Sequence, residues 1–336
     1  MKSFPIMLIT AAAALVVTTM WALSVGQFSL PLADIFSLLV AKFSGDVANT
    51  VLNADAVLFE IRGPRIVAAL TVGAALAAAG AAYQNLFRNP LVSPDILGVS
   101  SGAALGAVAG IFLSLPIIAT QGLAFAGGLA AVGIIYFMGN KIRGHDPVLS
   151  LVLTGVVVSS LLGSGLALLK YAADPYNQLP AITYWLLGSF AGVTRAEVGS
   201  VVLIVAASLV PLFLLRWRIN LLALPDDEAR ALGLNVQRTR LIVMVAATLM
   251  TAATVALAGI IGWVGLVVPH AVRLLVGAEF SRLLPLAMII GGTFMLIVDT
   301  LCRTIAPVEI PPGVLTALIG TPIFLLLMTA NLRAKT

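Results

Sequence analysis

The chain has very little charge. Only 10% of its 336 residues are Asp, Glu, Lys or Arg, against about a quarter in an ordinary soluble domain. Sixty per cent are hydrophobic and the mean hydropathy is +1.10, so the chain reads as a polytopic membrane protein with no room for a large extra-membrane domain. Its single cysteine, Cys302, excludes an internal disulfide and any multi-cysteine metal site. No GxxxxGK[ST] phosphate loop is present, so ATP hydrolysis is not expected of this chain. HExxH is absent as well. The net charge of +5 is modest for this length. It reads as an orientation signal in a membrane protein and gives no reason to expect a nucleic-acid partner.

What is present in abundance is apolar run. Ten stretches read as spans: Ile6–Val25, Ile66–Tyr83, Ile96–Leu115, Gly122–Met138, Val148–Leu169, Val198–Leu215, Leu241–Ile261, Trp263–Val276, Leu283–Val298 and Gly313–Ala330, the eighth being the weakest. A bilayer crossing needs about 20 residues, and runs of this length are helical. The expected fold is therefore all-α, a single transmembrane domain over residues 1–336. An even number of spans puts both termini on one side. With the termini inside, thirteen of the 19 basic residues fall on the inner side. Lys42, Arg62, Arg65, Lys170, Arg195 and Arg303 remain outside, which satisfies the positive-inside rule. The first run lacks a convincing small-residue cleavage site and reads as a retained span.

Between the spans, three segments carry information. Residues 26–61 are expected outside, with a short amphipathic helix over Leu32–Phe43. Residues 171–197 form a second outer segment whose apolar centre, 181–193, lies at or dips into the interface. Residues 216–240 form the largest inner loop. There, Pro225 suits a first helical turn, Asp226, Asp227 and Glu228 face the positive end of the dipole, and Gly233 can end the helix in a left-handed conformation. Asn235 can then cap the next helix. A short, charged, rigid helix followed by a glycine break suits docking of a cytoplasmic partner; a helical connector is the simpler alternative.

The second span ends in a proline-broken elbow, Gln84–Asp95, from which the third span departs. Irregular backbone at membrane depth is tolerated where it is buried in protein or lines water, so this elbow can line a pathway. The thirty glycines, concentrated in stretches such as GAALAAAG (73–80) and SGAALGAVAG (101–110), point to close helix packing. His270, alone in a helix bundle, is expected to be a hydrogen-bonded structural residue rather than a ligand. His145 is expected in a solvated inner loop, Asp299 in a local ion pair with Arg303, and Cys302 in inert packing.

Three stretches together resemble the FecCD-type permeases, the membrane subunits of ABC importers for ferric siderophores, haem, cobalamin and, in some members, molybdate or tungstate. They are RGPR followed by GAALAAAGAAYQNLFRNPLVSPDILGVSSGAALG (62–106), ARALGLNVQRTR (229–240), and GIIGWVGLVVPHAVRLLVG (259–277) with LIVDTLCRTIAPVEIPPGVLTALIGTPIFLLLM (296–328). The resemblance implies a type II ABC importer permease of about ten transmembrane helices in a bacterial cytoplasmic membrane. It implies a second permease copy or homologue, two copies of an ATP-binding subunit, a periplasmic or lipoprotein binding protein, and no cofactor. The family's coupling helix falls on Asp226, Asp227, Glu228, Ala229, Arg230, Ala231 and Leu232, with Gly233 behind it. Its binding-protein docking arginines fall on Arg62, Arg65 and Arg303, and the frequent RLPR is here RGPR, with Gly63 loosening the turn. Its cytoplasmic gate falls on Asn89, Pro90 and Leu91 and, by position alone, on Val148 and Leu149. The cargo implied is an iron chelate of the ferric siderophore or haem class, with molybdate, tungstate or cobalamin as the alternative.

Two other classes compete with that reading. A gradient-driven secondary transporter needs midplane carboxylates or broken helices about an ion site, and the ten spans contain no Asp or Glu. An intramembrane enzyme needs a nucleophile–base pair or a metal cluster, and neither is evident.

Overall fold

A computed structural model describes residues 3–26, 30–44, 52–139, 141 and 147–333. His145 and the basic residues Lys2, Arg143 and Lys335 lie outside the described residues, as does the side chain of Val148. Every described regular element is helical. The order is α1 (Ser3–Ser24), α2 (Leu32–Ser44), α3 (Leu52–Ala56), a π-helical turn (Val57–Arg62), α4 (Gly63–Leu86), a 3-10 turn (Pro94–Leu97), α5 (Val99–Phe112) and α6 (Ile117–Gly139). There follow α7 (Pro147–Ala172), α8 (Gln178–Leu186), α9 (Arg195–Leu214), α10 (Arg216–Leu221), α11 (Asp226–Ala231), α12 (Val236–Ala258), α13 (Val264–Val276), α14 (Phe280–Cys302) and α15 (Pro312–Arg333).

Among the described residues eight helices are long and apolar enough to cross a membrane. The other two expected spans are short helices: α5 has 14 residues and α13 has 13. At 1.5 Å per residue each reaches about 20 Å, less than a hydrocarbon core. Both are cut by backbone that leaves the helical region. The 3-10 turn and Gly98, at φ +67°, occupy what would be the first turns of α5. Gly259 at φ +69° and Trp263 at φ +71° separate α12 from α13, and Gly277 at φ +83° ends α13.

The second span also starts earlier than its apolar run. Helix continues unbroken from the π turn into α4, and Gly63 is itself helical, so the RGPR segment is not a turn. The Gly63 N–H reaches back to the Leu58 carbonyl, five residues away, immediately before Pro64, which has no N–H to give. α2 matches its expected bounds closely. Ile35 and Leu38 are buried with Leu30, Ala54 and Leu58 while Phe36 faces out, the one-sided pattern of an amphipathic helix.

α4 and α12 form the centre of the bundle, and α1, α7 and α15 lie at its periphery. The alanine- and glycine-rich sequence of α4 is what allows it to be enclosed. A methyl group on Gly73 would overlap the Gly291 carbonyl of α14, and one on Gly80 would overlap the Gly265 carbonyl of α13. Gly102 and Gly127 meet in the same way between α5 and α6. Without a hydrophobic drive between helices in lipid, close backbone approach of this kind supplies the packing energy. α8 and the chain after it fill the gap between neighbouring helix ends: the Ser189 N–H donates to Ala258 O at 2.9 Å, and the Gly313 N–H to Leu187 O at 3.1 Å.

Candidate functional site

Two polar clusters lie at opposite ends of the 24-residue α4, roughly 35 Å apart at 1.5 Å per residue. The first gathers the three arginines expected to dock a binding protein. Arg62 ends the π turn, Arg65 is in the first turn of α4, and Arg303 follows α14. All three are engaged within the chain. Arg62 Nη1 donates to Leu23 O at 2.7 Å. Arg303 donates to Ala22 O at 2.5 Å and to Val25 O at 2.7 Å. The two guanidiniums thus satisfy the last carbonyls of α1, a position where the helix dipole also favours a cation. Arg65 makes two bidentate contacts. Its Nε reaches Asp299 Oδ1 at 2.9 Å, and Nη1 and Nη2 reach Glu309 at 2.9 and 3.0 Å.

Asp299 has no solvent exposure. Its expected ion pair with Arg303 is present at 3.7 Å, but Arg65 is the closer partner, at 2.9 Å. Exposed charges at this end include Glu60 and Arg195, paired at 2.8 Å, and the partly exposed Glu309.

The second cluster surrounds α11. Pro225 is the residue before the helix, not its first turn, at φ −51° and ψ 145°. Asp226, Asp227 and Glu228 occupy the first turn, and Gly233 at φ +83° ends the segment. The Leu234 N–H then returns to Ala229 O at 3.0 Å, and the Asn235 side chain accepts from the Arg238 N–H at 3.0 Å to start α12. Only Ala229 of α11 is buried; Asp227, Glu228, Arg230, Ala231, Leu232 and Gly233 face outward. Beside this face, between α10 and the start of α12, lies a recess of about 470 Å³.

Asp226 turns inward. It accepts from Arg88 at 2.5 Å and from Arg240 at 3.1 Å. Partial burial alone would raise this carboxyl, but Arg240 and Arg88 outweigh it and hold it below the usual carboxylate range. Arg88 belongs to the elbow, directly before Asn89, Pro90 and Leu91. All of these are exposed, and the Asn89 side chain closes on the Leu91 N–H at 2.9 Å. The elbow's 3-10 turn packs on α7, where a methyl on Gly155 would overlap the Ile96 carbonyl. Leu149, about half exposed, lies nearer the start of that same helix.

Three further groups can be placed. His270 is buried against Phe324, yet neither ring nitrogen has a hydrogen-bond partner among the described residues. The expected hydrogen-bonded histidine is instead packed edge-on against an aromatic ring. Among the described residues no group of three His, Cys, Asp or Glu side chains could hold a metal. Cys302 is a fully buried free thiol within the core. Gly98–Gly102 has the G-x-S-x-G spacing of a nucleophile elbow. It follows a 3-10 turn rather than a strand, and Ser100 donates to Asp95.

The sequence reading missed the partners that complete both clusters, namely Glu309, Arg88 and Arg240. Each was visible only as a charge on one side of the membrane, since its partner is far away in the chain or in another element.

Residues 14–330 match the model of the FecCD transport family. The chain belongs to that family. A molybdate import system permease protein, MolB of Haemophilus influenzae, is 38% identical to this FecCD chain over 324 residues, covering 96% of this chain and 95% of MolB. The cobalamin import system permease protein BtuC of Halobacterium salinarum is 42% identical over 276 residues, covering 82% and 74%. A solved structure described as a metal-chelate type ABC transporter in an inward-facing conformation superposes with a TM-score of 0.85 at 36% identity, covering 97% of this chain and 99% of that one. This FecCD chain is thus a multi-pass ABC importer permease with the corresponding all-helical fold.

Proposed function

We propose that this permease carries an iron chelate of the ferric siderophore or haem class across a bacterial cytoplasmic membrane. It would do so as one of two permease copies over two ATP-binding subunits. The observation that carries the mechanism is the geometry of α11. Its outward face is polar and exposed, while its first residue is tied back to the elbow. Two such helices would take up movement of the ATP-binding subunits, and the elbow with Asn89, Pro90 and Leu91, together with Val148 and Leu149, would open and close the inner mouth.

The opposite end would receive the substrate-loaded binding protein. Arg62, Arg65 and Arg303 would serve there by holding the ends of α1, α4 and α14 in register, because their guanidiniums already have carbonyl and carboxylate partners. The exposed charges Glu60, Arg195 and Glu309 would make the outward contacts. A proton-coupled mechanism gains no support from Asp299, whose carboxylate is bound by Arg65.

The metal-chelate description of the superposed structure favours the iron-chelate cargo. The near full-length similarity to MolB favours a second reading, in which the cargo is molybdate or a like oxyanion. Uptake into proteoliposomes containing the assembled transporter separates them. The first reading expects ATP-dependent accumulation of a ferric siderophore or haemin and none of molybdate; the reverse result selects the second.

A further inference from the structure

We propose that Arg88 is the positioning residue that transmits movement of α11 to the Asn89–Leu91 elbow. This inference rests on the coupling and gate roles proposed above and adds the connection between them. The Arg88 guanidinium bridges two points on the far side of the α10–α11 junction. Nε donates to the Leu222 carbonyl at 2.8 Å, and Nη2 to the Asp226 carboxylate at 2.5 Å. Two anchors in a fixed fork define the direction of the guanidinium as well as its distance, which a lysine cannot do.

The backbone of Arg88 is held just as closely. It sits at φ +51°, a left-handed conformation that costs a side-chain-bearing residue free energy and persists where its surroundings impose it. On one side the Arg88 N–H closes onto Asn85 O at 3.3 Å. On the other, the Asn89 N–H returns to Gln84 O at 3.1 Å and the Asn89 side chain holds Leu91. Rotation of α11 that displaces Asp226 therefore pulls on a residue of the elbow one peptide bond from Asn89. Other ties run from this region to different elements: Arg240 links Asp226 to α12, and the Asn220 side chain accepts from the Phe280 N–H of α14 at 2.8 Å. Neither of these reaches the elbow, so they serve as controls.

The test uses Leu91→Cys as a reporter in the full transporter, assembled with its ATP-binding subunits in nanodiscs. Leu91 is 46% exposed, and the native Cys302 is buried, so a membrane-impermeant maleimide reads position 91. The labelling rate is measured without nucleotide and with ATP and vanadate. With Arg88 intact the two rates should differ about fivefold or more, the lower range of ordinary allosteric coupling. Arg88→Gln should reduce the ratio to about twofold or less, Arg88→Lys should recover part of it, and Asn220→Ala should leave it as in the parent. Should Arg88→Gln fail to co-purify with the ATP-binding subunits, Asp226→Asn, which keeps the side-chain shape, weakens the Arg88 and Arg240 contacts together, and Arg240→Gln alone, expected to keep the parent ratio, separates the two. A full nucleotide response in the assembled Arg88→Gln or Asp226→Asn protein overturns the role of Arg88 and leaves the gate in place. No response in the parent reporter overturns the gate assignment itself.

Discussion

Arg65 and Asp299 join the first turn of α4 to the last turn of α14 through a contact of 2.9 Å, across 234 residues of sequence. The carboxylate is wholly buried and the guanidinium nearly so. Removing one member of a buried pair costs about 3–5 kcal/mol when the other charge is left unpaired, whereas replacing both with apolar groups of similar size costs much less. Here Arg65 keeps Glu309 when Asp299 is removed, which puts the loss toward the lower end of that range. Asp299→Ala should therefore lower the thermal denaturation midpoint of the detergent-solubilised protein substantially. The double variant Arg65→Met with Asp299→Leu should recover much of that loss. Equal losses for the single and double variants would show that the pair itself is not what holds these helix ends together.

The contact between α4 and α14 depends on Gly73 facing Gly291. Gly73→Ala places a methyl group against the Gly291 backbone, which cannot move aside as a flexible side chain would. Overpacking of this kind costs about 1–3 kcal/mol. Gly122→Ala, where a methyl meets open space, is the matched control and should be close to neutral. Thermal melts of the two variants check the difference.

Asp226 gives a pH prediction. Its carboxyl is held below the usual range by Arg240 and Arg88 in the folded protein. A group whose folded pKa is depressed contributes stability that is present above its unfolded value of about 3.9 and is lost as pH falls through the folded value. The penalty of Asp226→Asn in a thermal melt should thus be constant from pH 8 to about 5 and disappear only in stronger acid. A penalty that fades already between about pH 7 and 5 would contradict this account of the site.

The outward face of α11 is available to a partner. Asp227→Lys with Glu228→Lys should leave the fold intact, since both side chains are exposed. The same pair of changes should weaken association with the ATP-binding subunits about tenfold or more, equivalent to roughly 1.4 kcal/mol. Titration of the labelled permease with that subunit measures the change directly.

Much of this was legible in the sequence. Long apolar runs locate the spans because a bilayer demands about 20 apolar residues, and α11 is written in its Pro225, acidic first turn and Gly233. The truncation of α5 and α13 was harder to see. Their apolar runs continue, and the breaks come from left-handed backbone at Gly98 and Trp263. Partnership was least visible. Arg62 and Arg303 read as outward-facing charges, because nothing local to them reveals that the end of α1 lies beneath them. The same holds for Arg88, whose importance depends on a carboxylate 138 residues away.

In the proposed mechanism α11 couples an external ATPase to passage of the cargo. The direct measurement is uptake of a ferric siderophore into proteoliposomes holding the permease, its ATP-binding subunits and its binding protein, with and without the Asp227→Lys and Glu228→Lys changes. Uptake that requires ATP and is lost in the variant is the predicted result. Uptake that proceeds without ATP under an ion gradient, or that survives unchanged in the variant, would contradict it.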